Sequence, residues 1–310
     1  MTSSTPQTTI NKPLIFLFGP TGVGKTALLE ELFLNGFQVI STDSKQIYRQ
    51  LDIGSAKPSK TTLEKIKHHL IDIRDPSESF SVGEFVKLAD ECCQQIYSHN
   101  SIPILCGGTA YYFKHFYFGL PTSPKSDESI REEVKTLLKE RGSDYCYSYL
   151  KKIDPLSAEK IHHADLYRIT RAIEVYLATG KPLSQFKTPD KARDNLNPLI
   201  LGLHAPKEIL EKRIRERVRQ MFNDGLIEEV QKIKAIGADG SWPALQGIGY
   251  QEFFVEGLNN SEIEQLIVKN SLRYAKRQMT FFRSIANVNW VLTDQKKEIK
   301  ELLDNYLSQF

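Results

Sequence analysis

The run Gly19-Pro20-Thr21-Gly22-Val23-Gly24-Lys25-Thr26 most limits what this chain can become. It matches G-x-x-x-x-G-K-[ST], a phosphate-binding loop, and its flanks are the ones that motif requires. Before it, Leu14 to Phe18 is an unbroken apolar run, which reads as a strand buried on both faces. After it, Thr26 to Asn35 carries Leu28, Leu29, Leu32 and Phe33 at helical spacing, with Gly36 as the stop. In such a loop glycines let backbone N–H groups curl round phosphate oxygens, and the following helix start adds its positive dipole end. Lys25 then supplies a mobile point charge and Thr26 a hydroxyl for Mg²⁺. The structural alternative is a glycine turn that merely opens a helix.

The same alternation continues. Phe37 to Ser41 reads as a second strand, His69 to Ile73 as a third, and Ile102 to Cys106 as a fourth running into Gly107-Gly108. Between the last two, Ser81 and Glu84 form a capping box for a helix with Phe85, Leu88, Cys92 and Ile96 on one side. Strands alternating with helices imply a parallel sheet and an α/β fold. After Leu120 the pattern changes: Pro121-Thr122-Ser123-Pro124 is a linker signal, and helical patterns follow without a convincing strand. The clearest helix runs from Asp165 to Thr179, with Leu166, Ile169, Ile173 and Leu177 inward and Gly180 as its cap. Leu199 to Leu203 is a returning strand, followed by basic helices through residue 283, one of them capped by Ser261 and Glu264, and a short amphipathic tail. The organisation expected is a flexible tail over 1–12, a core from 13–119 and 196–310, and an inserted helical domain over 120–195.

Composition narrows the partners. With 40% apolar and 25% charged residues the chain is ordinary globular material. A formal charge of only +3 means that a nucleic acid must be met by a local basic surface. Cys92, Cys93, Cys106 and Cys146 lack C-x-x-C spacing, so reduced, mostly buried thiols are expected. No apolar run is long enough for a bilayer and no signal-peptide pattern precedes the first strand, so a cytoplasmic protein is expected.

Several other residues carry chemistry. Asp43 follows the second strand, at the carboxyl end of the sheet where ligands of open α/β folds collect. It suits a general base, a Mg²⁺ ligand or a helix cap, and these stay open on spacing alone. Gly107-Gly108-Thr109 stands where a nucleotide hydrolase often carries an aspartate, which speaks against a motor ATPase or GTPase switch. Close approach of substrate and a tight structural turn both fit it. On the helix from Pro206, Ile209, Leu210, Ile214, Val218 and Met221 mark the buried side, while Arg213 and Arg217 share another face, suited to a pyrophosphate or to solvent. From Lys269 to Arg283 there are five basic residues and no acidic one, with Lys269, Arg273, Lys276 or Arg277, and Arg283 near one stripe. Tyr274, Phe281 and Phe282 between them fit either core packing or base stacking, with core favoured for most of them. This strip favours RNA over a small acidic metabolite.

Taken in order, these segments resemble the tRNA dimethylallyltransferase family over residues 13–291. The resemblance rests on the Gly19 to Thr26 loop, Thr42 to Tyr48, Leu51 to Pro58, His68 to Pro76, Ile104 to Thr109, Arg171 to Val175, Gln246 to Tyr250 and Ala275 to Gln278. It implies a P-loop NTPase-like core with a parallel sheet and an inserted all-helical subdomain. It also implies transfer of a dimethylallyl group from dimethylallyl diphosphate, not ATP, to N6 of the adenosine 3′ of a tRNA anticodon. By the same resemblance Asp43 is the general base, Thr109 lines the reaction channel, Arg217 and the loop from Gly19 through Thr26 hold the pyrophosphate, and Mg²⁺ accompanies Thr26. Ser44, Lys45 and Gln46 with Asp43 and Thr109 are then tRNA-contacting positions. So are Arg131, Tyr167, Arg168, Ile169, Thr170 and Arg171 of the helical domain, and Arg273, Arg277 and Arg283 of the strip. A bacterial-type enzyme without a zinc finger, acting as a monomer on the anticodon arm, is the expectation. Lys45, Ala110, Ala164, Arg219 and Phe281 depart from the family pattern, and Lys45 loses the bidentate fork of the usual arginine. The rival readings are a P-loop small-molecule kinase, an adenylate isopentenyltransferase and a non-enzymatic RNA-binding module.

Overall fold

The computed structural model describes residues 12–124, 127–187, 189–194 and 196–310. The expected tail, apart from Lys12, lies outside them. In chain order the elements are β1 (Ile15–Phe18), α1 (Lys25–Leu32), β2 (Phe37–Ser41), α2 (Lys60–Lys65), β3 (His68–His69), α3 (Val82–Ser98), β4 (Ile102–Gly107) and α4 (Ala110–Phe118). Then follow α5 (Glu128–Ile153), α6 (Pro155–Lys160), α7 (Leu166–Thr179), β5 (Leu199–His204), α8 (Lys207–Asn223), α9 (Leu226–Ala235), α10 (Asn260–Phe282), β6 (Asn289–Leu292) and α11 (Lys296–Leu307).

All six strands are parallel, in the order β3-β2-β4-β1-β5-β6. The apolar run of β1 is buried because both faces of the sheet are covered. Phe16 and Phe18 point into a cluster with Phe85, Phe113, Phe116 and Phe282; Ile15 and Leu17 point into one with Leu28, Leu29, Val39 and Leu201. Phe282 stacks on Phe18 with ring centroids 4.2 Å apart, and this pins the end of α10 to the central strand. Register then places the functional turns. Phe18 lies opposite both Gly107 and Gly202, and Ser41 opposite Cys106, so β1, β2, β4 and β5 end at one edge of the sheet.

Contact density divides the chain into two compact units, residues 118–192 and the remainder. In the smaller, α5, α6 and α7 pack round Val134, Cys146, Leu150, Ile169, Ala172 and Ile173. Asp165 caps α7, whose C-cap Gly180 has φ +68°, as its position predicts. The four cysteines are free, and three of them are buried.

Several local expectations are corrected. β3 is two residues long, because Leu70 (φ +62°) and Asp72 (φ +56°) take left-handed conformations that break the ladder. β6 was not foreseen: Asn289–Leu292 alternates too weakly to announce a strand, and pairing with β5 makes it one. α1 stops at Leu32, with Phe33 turning into the core. The capping box of α10 is Asn259 with Glu262, two residues before the expected Ser261 and Glu264, because Asn259 accepts from Glu262 N–H. Leu166, Leu177 and Ile209 are exposed; Ala172 and Val175 complete the inner face of α7, and α8 needs only Ile214, Val218 and Met221. Cys92 is half-buried while Cys93 and Ala89 face the core, a rotation of about one residue in α3.

Candidate active site

The loop after β1 is shaped by its glycines. Gly22 (φ +78°) and Gly24 (φ +109°) adopt backbone that other residues rarely take, while buried Val23 anchors the loop to the core. A Cβ on Gly19 would stand 2.7 Å from Leu203 O, so the loop can leave the sheet here only as glycine. Lys25 folds back over the loop and donates to Gly19 O (2.9 Å) and Pro20 O (3.1 Å). Burial pushes its pKa down to about 8, and neighbouring Arg217 acts in the same sense. An ammonium that leans on two carbonyls in a half-buried place is primed for an anion. Thr26, one residue on, is exposed at the cavity described below.

Two arginines of α8 grip this loop from the side. Arg213 donates to Val23 O (2.9 Å), and Arg217 to Thr21 Oγ1 (3.0 Å). Burial lowers the Arg217 pKa from its ordinary value, with Asp43 opposing. Spacing left solvent face and phosphate face open: Arg217 is half-buried against the loop, while Arg213 touches the loop and remains exposed.

Asp43 leaves β2 beside Thr109. No helix follows it; its Oδ1 accepts from Lys45 N–H (2.8 Å) and Gln46 N–H (3.4 Å), closing a turn. Thr109 Oγ1 accepts from Ser44 N–H (3.1 Å), and Thr109 N–H donates to Thr42 O (3.0 Å). The close approach of β2 and β4 requires Gly107, where a Cβ would stand 2.3 Å from Thr42 Oγ1. That hydroxyl is buried without a hydrogen-bond partner.

Two cavities meet at these turns. The first, about 340 Å³, is lined by the cationic and loop residues Gly22, Gly24, Lys25, Thr26, Arg213 and Arg217, by apolar Leu29, Val39, Ala56, Pro58 and Cys106, and by Ser41, Gln46 and His68. The second, about 330 Å³, runs from Ser44 and Lys45 past Gly54, Gln246, Gly247 and Gly249 to Tyr274 and Arg277. Thr21, Asp43, Arg217 and Tyr274 line both. Tyr274, for which core packing and base stacking both fit the sequence, is half-buried and lines both cavities, and burial pushes its pKa up to about 12. Gln278 was quoted only as part of a motif, yet it is buried between the Thr21 and Gly108 backbones. Neither residue stands out from the basic strip around it, since only the docking of α10 turns them inward.

The second cavity's wall is held from behind. The Glu229 carboxylate accepts from the N–H groups of Asp52 and Ile53 (both 2.8 Å) and Gly54 (3.1 Å), and from the Tyr250 hydroxyl (2.7 Å). Four donors on one carboxylate fix the Leu51 to Pro58 segment, which sequence spacing could not reveal.

Other expected site residues are placed differently. Lys45 reaches away from solvent to Pro243 O (2.7 Å), and burial pushes its pKa down to about 8. Gln46 is engaged with Ser41 Oγ (3.1 Å) and Ala56 O (3.1 Å). Arg273 and Arg283 are exposed, as are Lys269 and Lys276; Arg277 is exposed but also lines the second cavity. Within the helical unit Tyr167 is 80% exposed, Arg131 and Arg168 are exposed beside Glu128 and Asp165, and Arg171 pairs with Glu174 (3.3 Å) and donates to Pro124 O (2.7 Å). Thr170 hydrogen-bonds back to Leu166 O (2.9 Å). Ile169 is the exception: fully buried in that unit's core, its side chain has no surface to offer tRNA.

Among the described residues no three His, Cys, Asp or Glu side chains gather to hold a metal by themselves. Thr26 and Asp43 do line the same cavity as Lys25, a sparse set of hard oxygens. That fits Mg²⁺, which is commonly held by few protein ligands together with phosphate oxygens and water. No helix among the described residues is long and apolar enough to cross a membrane.

Comparison with known proteins agrees with this arrangement. Residues 46–285 match the model of the IPP transferase family. The chain is 40% identical to a tRNA dimethylallyltransferase of Borrelia turicatae, over 94% of this chain and 97% of that one. It superposes on a tRNA isopentenylpyrophosphate transferase of Bacillus halodurans with a TM-score of 0.69 and 34% identity, covering 97% and 98% of the two chains. A eukaryotic dimethylallyltransferase solved acting on tRNA gives a TM-score of 0.74 at 26% identity, covering 90% of this chain and 74% of that one. With its phosphate loop, its Asp43 and Thr109 turns and these matches along nearly its whole length, the chain belongs to the IPP transferase family of tRNA dimethylallyltransferases.

Proposed function

We propose that this protein transfers a dimethylallyl group from dimethylallyl diphosphate to N6 of the adenosine 3′ of a tRNA anticodon, releasing pyrophosphate. The observation that carries the reading is the meeting of two cavities at Asp43, Thr21, Arg217 and Tyr274. The first cavity carries cationic, loop-built lining fit for a diphosphate, and Leu29, Val39, Ala56 and Pro58 in the same lining offer apolar surface for a five-carbon chain. That leaves the allylic carbon near Asp43, facing the second cavity, from which a base enters.

In the reaction N6 forms a bond to the allylic carbon, the carbon–oxygen bond breaks, and its electron pair leaves on pyrophosphate. The Asp43 carboxylate accepts the N6 proton, while Thr109 and Tyr274 hold the junction. Lys25 and Arg217 stabilise the growing charge on the leaving group, and because they are half-buried and already oriented by hydrogen bonds they need little reorganisation. Mg²⁺ held at Thr26 would supply further positive charge to the diphosphate. Holding both reactants across one junction contributes the rest, by proximity.

The exposed arginines of α10 and of the helical unit support a macromolecular acceptor, where a free nucleotide would need none of them. An adenylate isopentenyltransferase or a small-molecule kinase therefore fits less well. We also assign the protein to the cytoplasm, as a monomer, which light scattering checks. The deciding experiment is mass spectrometry of tRNA incubated with the protein, Mg²⁺ and dimethylallyl diphosphate. One added dimethylallyl group at the anticodon-adjacent adenosine, without ATP, is expected; turnover that needs ATP overturns the reading.

A further inference from the structure

We propose that Gln278 is a positioning residue for the transfer proposed above, a strap that sets the distance between the diphosphate loop and the turn carrying Thr109. Its side-chain amide makes two bonds. Oε1 accepts from the backbone N–H of Thr21 (2.9 Å), and Nε2 donates to the backbone carbonyl of Gly108 (2.7 Å). The amide's orientation is fixed by its partners, since an N–H can only donate and a carbonyl can only accept. Only 4% of the residue is exposed.

Each end of the strap reaches a part of the reaction centre. Thr21 lines both cavities, and its hydroxyl accepts from Arg217. The Thr21 N–H is taken by a side chain of α10, which ties the loop to the turn after β4. Gly108 precedes Thr109, which in turn fixes Ser44 N–H beside Asp43. The close fit explains Gly108 itself, because a Cβ there would stand 2.3 Å from Gln278 Nε2. The amide offers donor and acceptor in a group that stays neutral at every working pH, so the strap spans two backbones without adding charge beside the diphosphate. Gln278 also lines the first cavity, but its amide oxygen and one amide N–H are already taken by the two backbones. It acts through the loop and the turn, where a misplacement of about 1 Å can cost on the order of 100-fold in rate.

The test uses two variants of the full chain, with wild type in the same single-turnover assay at saturating tRNA and dimethylallyl diphosphate. Gln278→Met keeps the volume and removes both bonds. Its transfer rate is expected to fall about 10- to 100-fold, with donor affinity within about threefold of wild type, because the strap sets geometry and not charge. Gln278→Glu keeps the acceptor, but can donate to Gly108 only when protonated. Its rate relative to wild type is expected to rise as pH falls through the glutamic acid's pKa, a limb that Gln278→Met lacks. If Gln278→Met does not fold, the pH profile of Gln278→Glu decides alone, read only over the range in which circular dichroism shows that variant folded, so that loss of structure cannot imitate the limb. A folded Gln278→Met within about threefold of wild type, a loss seen only in donor affinity, or a ratio of Gln278→Glu to wild type that does not change with pH overturns the inference. Failure of wild type to modify tRNA would overturn the proposed transfer and, with it, this role.

Discussion

α8 and α10 look alike in sequence and differ in use. Both are long, both carry arginines at helical spacing, and they pack on each other round Val218, Met221, Ile263 and Ile267. α8 turns Arg213 and Arg217 onto the phosphate loop, while α10 leaves Arg273 and Arg283 in solvent and turns Tyr274 and Gln278 inward. A basic stripe therefore states only that charges share a side. Whether that side meets a buried anion or a solvated backbone depends on what the helix packs against. Inward charge should govern the chemical step and donor binding; outward charge should govern tRNA binding and its salt dependence.

The largest effect is expected where both helices converge, at Asp43. Asparagine preserves an oxygen for the Lys45 N–H, so Asp43→Asn should fold normally while the single-turnover rate falls by roughly 10²- to 10⁴-fold. A folded variant within about threefold of wild type would remove Asp43 from the chemistry. Next comes Arg217→Gln, which takes one half-buried cation from the leaving group. A loss of about 10²- to 10³-fold in kcat/KM for dimethylallyl diphosphate is expected, with tRNA affinity nearly unchanged. Loss of tRNA affinity alone would erase the contrast between the two helices.

Lys25 sharpens the inward half of the comparison. Its pKa in the free protein is down to about 8, and a diphosphate favours its charged form. Donor affinity should therefore be constant below pH 8 and weaken above it, by up to about tenfold per unit. Calorimetric titrations from pH 7.5 upward, above the diphosphate's own ionisation, follow this directly; a flat profile would mean Lys25 does not pair with the donor. The smallest effects belong to the outward half. Neutralising Arg273 or Arg283 singly should flatten the slope of log affinity for tRNA against log salt by about one unit, with donor affinity intact. Arg277 should show both behaviours, since it is exposed and also lines the second cavity.

What the chain's order of residues determined by itself is local: the glycine-built loop between a buried strand and a helix, the Ser81–Glu84 capping box, the Asp43 turn at the end of β2 and the Gly107-Gly108-Thr109 turn at the end of β4. Each is decided by neighbours within a few positions, through backbone sterics and burial pattern. Tertiary structure decided the rest. Gln278 meets Thr21 across a separation of 257 residues, Arg217 meets it across 196, and Glu229 meets the Asp52 to Gly54 backbone across some 175 to 177. No periodicity records such distances. They follow from Phe282 stacking on Phe18 and from the register that brings β1, β2 and β4 to one edge. The same packing turned Lys45 away to Pro243 and closed Ile169 into a core, because burial favours apolar and paired groups whatever role a motif suggests.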